Sequence, residues 1–271
     1  MPETVSCNLC GSAEAEFLFR LRDYRFFVDE KEWTAWRCHR CGLGYLNPRP
    51  TAEEMARYYP AEYFAHRRSH VGRYKRQAAY VSGSGGRLLD IGTASGDFLA
   101  VMRDRGWQVE GIEPATEPGN PHGLTIHPFP FPDGCDLPGA SFDVITAWAA
   151  FEHLRDPKRA FEISARLLRP GGRLILQVPN LRSIYARWAL QEDVPRHLYF
   201  FEPRTLRRYG EMRGLKLARV HHTTDLFGGS GRGVLRLALV RASGGTTTDF
   251  FELWRLPRRK RFRRRPALAM A

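Results

Sequence analysis

The sequence predicts an α/β chain: an open, mostly parallel sheet with helices on both faces, preceded by a small cysteine-rich module. Three observations predict it. Arg87 to Glu113 reads as a short apolar run, a turn containing glycines, an amphipathic segment and a second apolar run ending in an acid. The same alternation of apolar runs and amphipathic segments continues as far as Val234 to Arg241. Four of the five cysteines fall within the first 50 residues, as two Cys-x-x-Cys pairs.

At 271 residues the chain can hold one sizeable core and a small module. No apolar run approaches the ~20 residues needed to span a bilayer. The N-terminus, MPETVSCNLC, lacks the charged-then-apolar pattern of a signal peptide. The expectation is a cytoplasmic protein with no membrane contact, where paired cysteines more often hold metal than form disulfides. The net charge of +13 is concentrated: Arg255, Arg258, Arg259, Lys260, Arg261, Arg263, Arg264 and Arg265 form one C-terminal run. Without them the formal charge falls to about +5, so the total is weak evidence for nucleic acid. The tail reads as a solvated arm and a candidate contact for a protein partner. The expected division is a zinc-binding module over 1–50, a helical connector over 51–85, a catalytic domain over 86–245 and a basic tail over 246–271.

In the module, Cys7-Asn8-Leu9-Cys10-Gly11 and Cys38-His39-Arg40-Cys41-Gly42 are two knuckles. In each, two thiolates wrap one ion and the glycine lets the backbone turn behind it. Cys7, Cys10, Cys38 and Cys41 make a soft tetrahedral set suited to zinc, with no open position, so the ion is expected to be structural. Glu16 to Leu21 and Trp33 to Arg37 can form a hairpin between the knuckles. Cys135 stands apart as a bystander thiol. Thr51 with Glu54 is a capping box that starts a helix running to about Tyr59. Tyr58, Tyr59, Tyr63 and Phe64 cluster around Pro60, either packing the connector down or roofing the active site. Residues 66–81 are helix-compatible, and Ser82 to Gly86 break the chain before the first catalytic strand.

The turn after that strand is Gly92-Thr93-Ala94-Ser95-Gly96, preceded by Asp90. Its two glycines let the backbone approach a ligand, and Glu113 after the second strand can accept from ribose hydroxyls. The spacing Gly-x-x-x-Gly differs from the dinucleotide form. Motif by motif, the stretch resembles class I S-adenosylmethionine-dependent methyltransferases. With the knuckles and Asn47-Pro48-Arg49-Pro50, the chain to about residue 220 is similar to a bacterial subfamily with an N-terminal zinc-binding domain, including sugar and secondary-metabolite C-methyltransferases. The resemblance implies a Rossmann-like seven-stranded sheet. It also implies S-adenosylmethionine held by Asp90 and the backbone of Gly92 to Gly96, with Glu113 on the ribose. It places Pro130, in His127 to Phe131, against adenine, and Trp148 beside the methionine moiety.

Beyond Glu113 the sequence departs from that pattern. Pro114, Pro118, Gly119, Pro121 and Gly123 make a regular helix improbable, so a short irregular link to a third strand, Leu124 to His127, is expected. Ser141 to Ala147 is the fourth strand, apolar on both faces. It runs into Trp148 to Pro157, with Glu152 ordering that loop. Residues 158–169 are an amphipathic helix, and Pro170-Gly171-Gly172 turns into the fifth strand, Arg173 to Val178. Asp193-Val194-Pro195-Arg196-His197 resembles the family's segment over the substrate pocket. His197 is the candidate general base, its imidazole suited to take a proton near pH 7, and the resemblance puts His153 near the transferred methyl. For both histidines a loop-holding role is the alternative. Arg196 and Tyr199 are candidate contacts for a phosphate or hydroxyl on the substrate. Pro203 to Gly214 is a helix, and Leu215 to His222 and Val234 to Arg241 are expected as strands six and seven. The glycine-rich Gly228 to Gly233 is a connection only.

The function so implied is methyl transfer to a small molecule. Two alternatives stand beside it: an RNA methyltransferase gripping its substrate through module and tail, and a catalytically idle partner subunit that keeps the fold.

Overall fold

A computed structural model describes residues 1–23, 25–60, 63, 71–115, 119–183, 193–223 and 243. In chain order the elements are β1 (Ala15–Leu21), β2 (Trp33–Cys38), β3 (Gly44–Leu46), α1 (Ala52–Ala56), α2 (Val71–Ala79), β4 (Arg87–Ile91), α3 (Asp97–Arg103), β5 (Gln108–Ile112), β6 (Thr125–His127), β7 (Phe142–Trp148), a 3₁₀ turn (Phe151–His153), α4 (Pro157–Leu167), β8 (Leu168–Gln177), β9 (Tyr199–Phe200) and α5 (Pro203–Glu211).

Five parallel strands form the central sheet in the order β6-β5-β4-β7-β8. The apolar runs β4 and β7 lie in its middle, where both faces are covered and polar alternation would strand side chains in the core. On one face α2 and α3 pack Ala78, Phe98 and Met102 against Leu88 and Val144. On the other, α4 buries Ala160, Phe161, Ile163 and Leu167 in a core shared with Leu89, Ile91 and Ile145. Helices on both faces of a parallel sheet make the doubly wound, Rossmann-like arrangement.

The cysteine module builds a second, antiparallel sheet, β1-β2-β3-β9. Its hairpin alternates as a half-buried strand should, Trp33 and Ala35 turned in, Thr34 and Trp36 less covered. Its fourth strand comes from beyond the central sheet: Tyr45 pairs with Tyr199 and Gly44 with Phe200. Gly44 is needed there, since a Cβ would sit 2.9 Å from the Phe200 Cβ. The module's Trp33, Leu43, Tyr45 and Leu46 therefore belong to the same core as Phe151, Phe161 and Tyr209.

Several expectations are met locally. Thr51 and Glu54 form the capping box, although the helix ends at Ala56, before Pro60. Helix α2 occupies the C-terminal part of the basic segment. No helix forms among the described residues between Glu113 and Thr125. Strand β8 begins earlier than expected, because Leu168 pairs with Phe142 before the Pro170–Gly172 irregularity and the ladder resumes at Arg173 with Val144. Leu215 to His222 has no strand partner among the described residues. A strand exists only with a paired neighbour, and the neighbour expected for it, Val234 to Arg241, lies outside the described residues along with the Gly228–Gly233 connection and the basic tail.

Candidate functional site

The four cysteines come together as the spacing requires. Their Sγ atoms all lie within 4.8 Å of one another, with Cys7 to Cys41 at 3.4 Å and Cys10 to Cys38 at 3.5 Å. Each knuckle closes through the glycine: Gly11 donates to the Cys7 carbonyl and Gly42 to the Cys38 carbonyl, both at 2.8 Å. Both glycines have positive φ, 74° and 77°, where a Cβ would be strained. Zn–S bonds near 2.3 Å at tetrahedral angles put sulfurs about 3.8 Å apart, so the donor set fits zinc in spacing and chemistry. Among the described residues Cys135 lies outside this group, its thiol raised by burial.

At the carboxyl ends of the central strands, the loop after β4 doubles back on β5. Gly92 and Thr93 donate to the Ile112 carbonyl, at 2.8 and 3.2 Å. Gly92 has φ 74°, and a Cβ there would lie 2.9 Å from the Ala150 Cβ, so the loop touches the chain leaving β7. Gly96 caps α3 with φ 79°. Its own Cβ would meet Leu124 at 2.9 Å. Ala94 also has positive φ, and its N–H donates 2.9 Å to the Glu113 carboxylate. Ser95 donates to Asp97. Glycine loop, acid and helix N-terminus thus meet at one edge, a cradle of the kind an adenosine cofactor takes.

Asp90 stands differently from the expectation. Its carboxyl is buried and accepts from the Thr146 hydroxyl at 2.6 Å, and burial pushes its pKa up to about 7. It props the loop from beneath. Trp148 is half-buried, packed edge-on against Phe98 at 5.2 Å between ring centres. Pro130 is exposed in the turn after β6, one residue from the buried Phe131.

Across from the cradle, the 3₁₀ turn brings Glu152 and His153 against His197. One ligand-type atom from each of the three lies within 4.8 Å of the others, and the two imidazoles meet edge to face at 4.7 Å. His153 Nδ1 lies 3.1 Å from the Arg196 carbonyl, which can only accept, so the neutral ring carries its proton on Nδ1 and leaves Nε2 as the basic nitrogen. The Tyr59 hydroxyl reaches the same Nδ1 at 3.1 Å and Tyr63 packs edge-on against Tyr59, while Tyr58 packs on Trp33 and Phe64 lies outside the described residues. Glu152 is fully buried, neither carboxylate oxygen has a hydrogen-bond partner, and burial pushes its pKa up to about 8. Its backbone carbonyl accepts from Leu198 N–H, fixing the His197 loop to the turn. His197 Nε2 lies 4.0 Å from Glu152 Oε1 and 3.5 Å from Asp193 Oδ2. Burial pulls the pKa of His197 down to about 4 and of His153 to about 3, so both rings are neutral near pH 7. Burial alone would raise Asp193, but His197, Arg196 and Arg25 hold it well below the usual carboxylate range.

Two expected substrate contacts are instead structural. Arg196 is fully buried, with its guanidinium bonded to Asp23, Asp193 and the Tyr58 carbonyl. Tyr199 lies in β9, its hydroxyl donating to the Arg155 carbonyl. Conversely, sequence reasoning missed Asp23 and Arg25, which reach this loop from the β1–β2 hairpin. They carry no motif, and only the charged Asp-x-Arg spacing in an otherwise aromatic turn marks them.

The family model for a methyltransferase domain (Methyltransf_23) matches residues 62–220, more than half of the chain. The ubiquinone biosynthesis O-methyltransferase of Aeromonas salmonicida is 31% identical over 157 residues, 48% of this chain and 63% of that protein. The demethylmenaquinone methyltransferase of Deinococcus radiodurans is 32% identical over 103 residues, 33% of this chain and 42% of that one. The chain thus spans less than two thirds of the length of these relatives. A chain from the complex of the Haloferax volcanii Trm112 methyltransferase activator with a methyltransferase superposes with a TM-score of 0.53 at 21% identity, covering 64% of this chain and 80% of that one. No helix among the described residues is long and apolar enough to cross a membrane. With its doubly wound sheet, glycine cradle and matching domain model, this chain belongs to the S-adenosylmethionine-dependent methyltransferase family.

Proposed function

We propose that the protein transfers the methyl group of S-adenosylmethionine to a hydroxyl or acidic carbon of a small molecule, with His197 as general base. The reading rests on one observation: His153 and His197, both neutral, converge at the end of β7, where that segment touches the glycine loop through Ala150 and Gly92. The sulfonium supplies an activated methyl group when the cofactor is bound. The chain's own task is then to align the acceptor and take its proton. The Gly92–Gly96 backbone and Glu113 would hold the cofactor, with Trp148 and Pro130 flanking it. His197 would accept the acceptor's proton, its Nε2–H turned to the Asp193 carboxylate, and His153, its tautomer set by Arg196, would orient the acceptor oxygen. The names of the ubiquinone O-methyltransferase relatives favour a hydroxyl over a carbon. Zinc on Cys7, Cys10, Cys38 and Cys41 would be structural, since four thiolates leave no position for substrate.

Calorimetric titration of the zinc-loaded full chain with S-adenosylhomocysteine tests the cofactor half, and no binding by a folded sample sinks the reading. Formation of S-adenosylhomocysteine with a panel of dihydroxyaromatic and sugar acceptors tests the rest. His197→Ala is expected to lower turnover with an accepted substrate by about 10²–10⁴-fold; unchanged turnover would reject the base role.

A further inference from the structure

The loop carrying His197 is held from outside the central sheet. Arg196, beside it, is fully buried against Asp23, itself fully buried, with a 2.7 Å contact between Nη2 and Oδ1. Asp23 lies in the loop between β1 and β2, and its carboxylate also accepts from the backbone N–H groups of Arg25, Phe26 and Val28. The hairpin loop is therefore wrapped around the carboxylate that grips Arg196. Arg25 from the same loop donates 2.7 Å to Asp193 Oδ2, the oxygen that faces His197 Nε2 at 3.5 Å. Both guanidinium groups lie over the Phe26 ring, at 5.3 and 4.9 Å. On its other side the loop is pinned by Leu198, whose N–H donates to Glu152 and whose carbonyl accepts from Leu46 in β3.

We propose that Asp23 and Arg25 are positioning residues of the methyl-transfer site, fixing the place and electrostatic setting of the His197 ring through Arg196 and Asp193. The proposal rests on the reading of His197 as the base. Asp23 neutralises the buried Arg196, which leaves Asp193 available to His197. Arg25 shares Asp193 and so limits how strongly that carboxylate favours the imidazolium. The hairpin of the cysteine module thereby enters the site without touching substrate.

The groups facing His197 are Glu152 and His153 from the 3₁₀ turn, Asp193 and Arg196 from its own loop, and Arg25 from the hairpin, with Tyr59 of the connector behind His153. Among them burial and the two arginines lower the His197 pKa, and Asp193 raises it. Removing a positive charge and removing a negative one must therefore move it in opposite directions. Loosening of the loop alone would expose the ring and move it up in both variants.

The test is ring NMR of histidine-labelled full-length protein, with the His197 signal assigned by its loss in His197→Ala. Arg25→Gln is expected to raise the titration midpoint of His197 by at least half a pH unit, Arg25→Lys to restore it, and Asp23→Asn to lower it. Equal midpoints in wild type and Arg25→Gln, or a rise in both Arg25→Gln and Asp23→Asn, overturn the proposal. Should Asp23→Asn fail to fold, the Arg25 pair decides alone, since Arg25 is the partly exposed member. Binding of S-adenosylhomocysteine, measured on the same samples, is expected to stay within about twofold of wild type. Its absence from wild type would sink the methyltransferase reading of the site while leaving the titration result to stand by itself.

Discussion

Single residues shape the Gly92–Gly96 turn proposed to cradle the cofactor, and two of them make sharp predictions. Gly92 combines positive φ with a Cβ position 2.9 Å from Ala150. Gly92→Ala is expected to weaken S-adenosylhomocysteine binding at least tenfold while the far-ultraviolet circular dichroism stays unchanged. Asp90 makes a pH prediction. Its pKa rises from 3.8 in an unperturbed carboxyl to about 7 in the fold, so between about pH 4 and pH 7 the folded chain keeps a proton that the unfolded chain has lost. Its contribution to stability is full below pH 4 and is lost as the pH rises through 7. Asp90→Asn has no such loss, so the melting temperature of the variant relative to wild type should climb between pH 5 and pH 8. A flat difference would show that the carboxyl is not buried as described. The glycines and Glu113 were legible in sequence because each has a local signature. The burial of Asp90 was not, because it depends on Thr146 in a strand that joins only in three dimensions.

At the scale of elements, periodicity and punctuation made most of the fold legible. The alternation of β2, the capping box of α1 and the both-face apolar runs of β4 and β7 are local patterns set by local physics. The proline-rich link after Glu113 was legible for the same reason. What escaped was pairing. β9 is two residues long, too short to show any period, and its only claim to be a strand is its partner β3. Among the elements the knuckles yield the most direct chemistry. Elemental analysis of the full chain is expected to give about one zinc per molecule. Cys38→Ser should lower zinc retention and the melting temperature together, since binding energy at a structural zinc site is folding energy. Full zinc retention in that variant would place the ion elsewhere.

For the whole molecule, the core does not respect the expected boundary at residue 50. Trp33, Leu43 and Tyr45 of the module share one apolar cluster with Phe151, Phe161 and Tyr209. Deleting residues 1–50 would bare that cluster and leave β9 without a sheet, so the truncated chain is expected to be insoluble or to bind hydrophobic dye strongly. A soluble, cooperatively melting fragment would show that the two parts are independent. A sequence scan could not reveal this, because boundaries are inferred from composition and the interlock is made by side chains scattered across the chain. The pairing of β3 with β9 also imposes a timetable on synthesis. As the chain leaves the ribosome, both cysteine knuckles and the whole β1–β3 meander emerge before the parallel sheet, with the four thiols assembled but with an open edge at Gly44 and Tyr45. That edge is sealed only after β4 to β8 have been made. The histidine loop is delivered by the same stroke, because His197 sits immediately before Leu198 and β9. The loop carrying His197 therefore takes its place only once β9 pairs with β3, and a nascent chain stopped before residue 193 holds the cysteine knuckles and the Gly92–Gly96 turn without that loop.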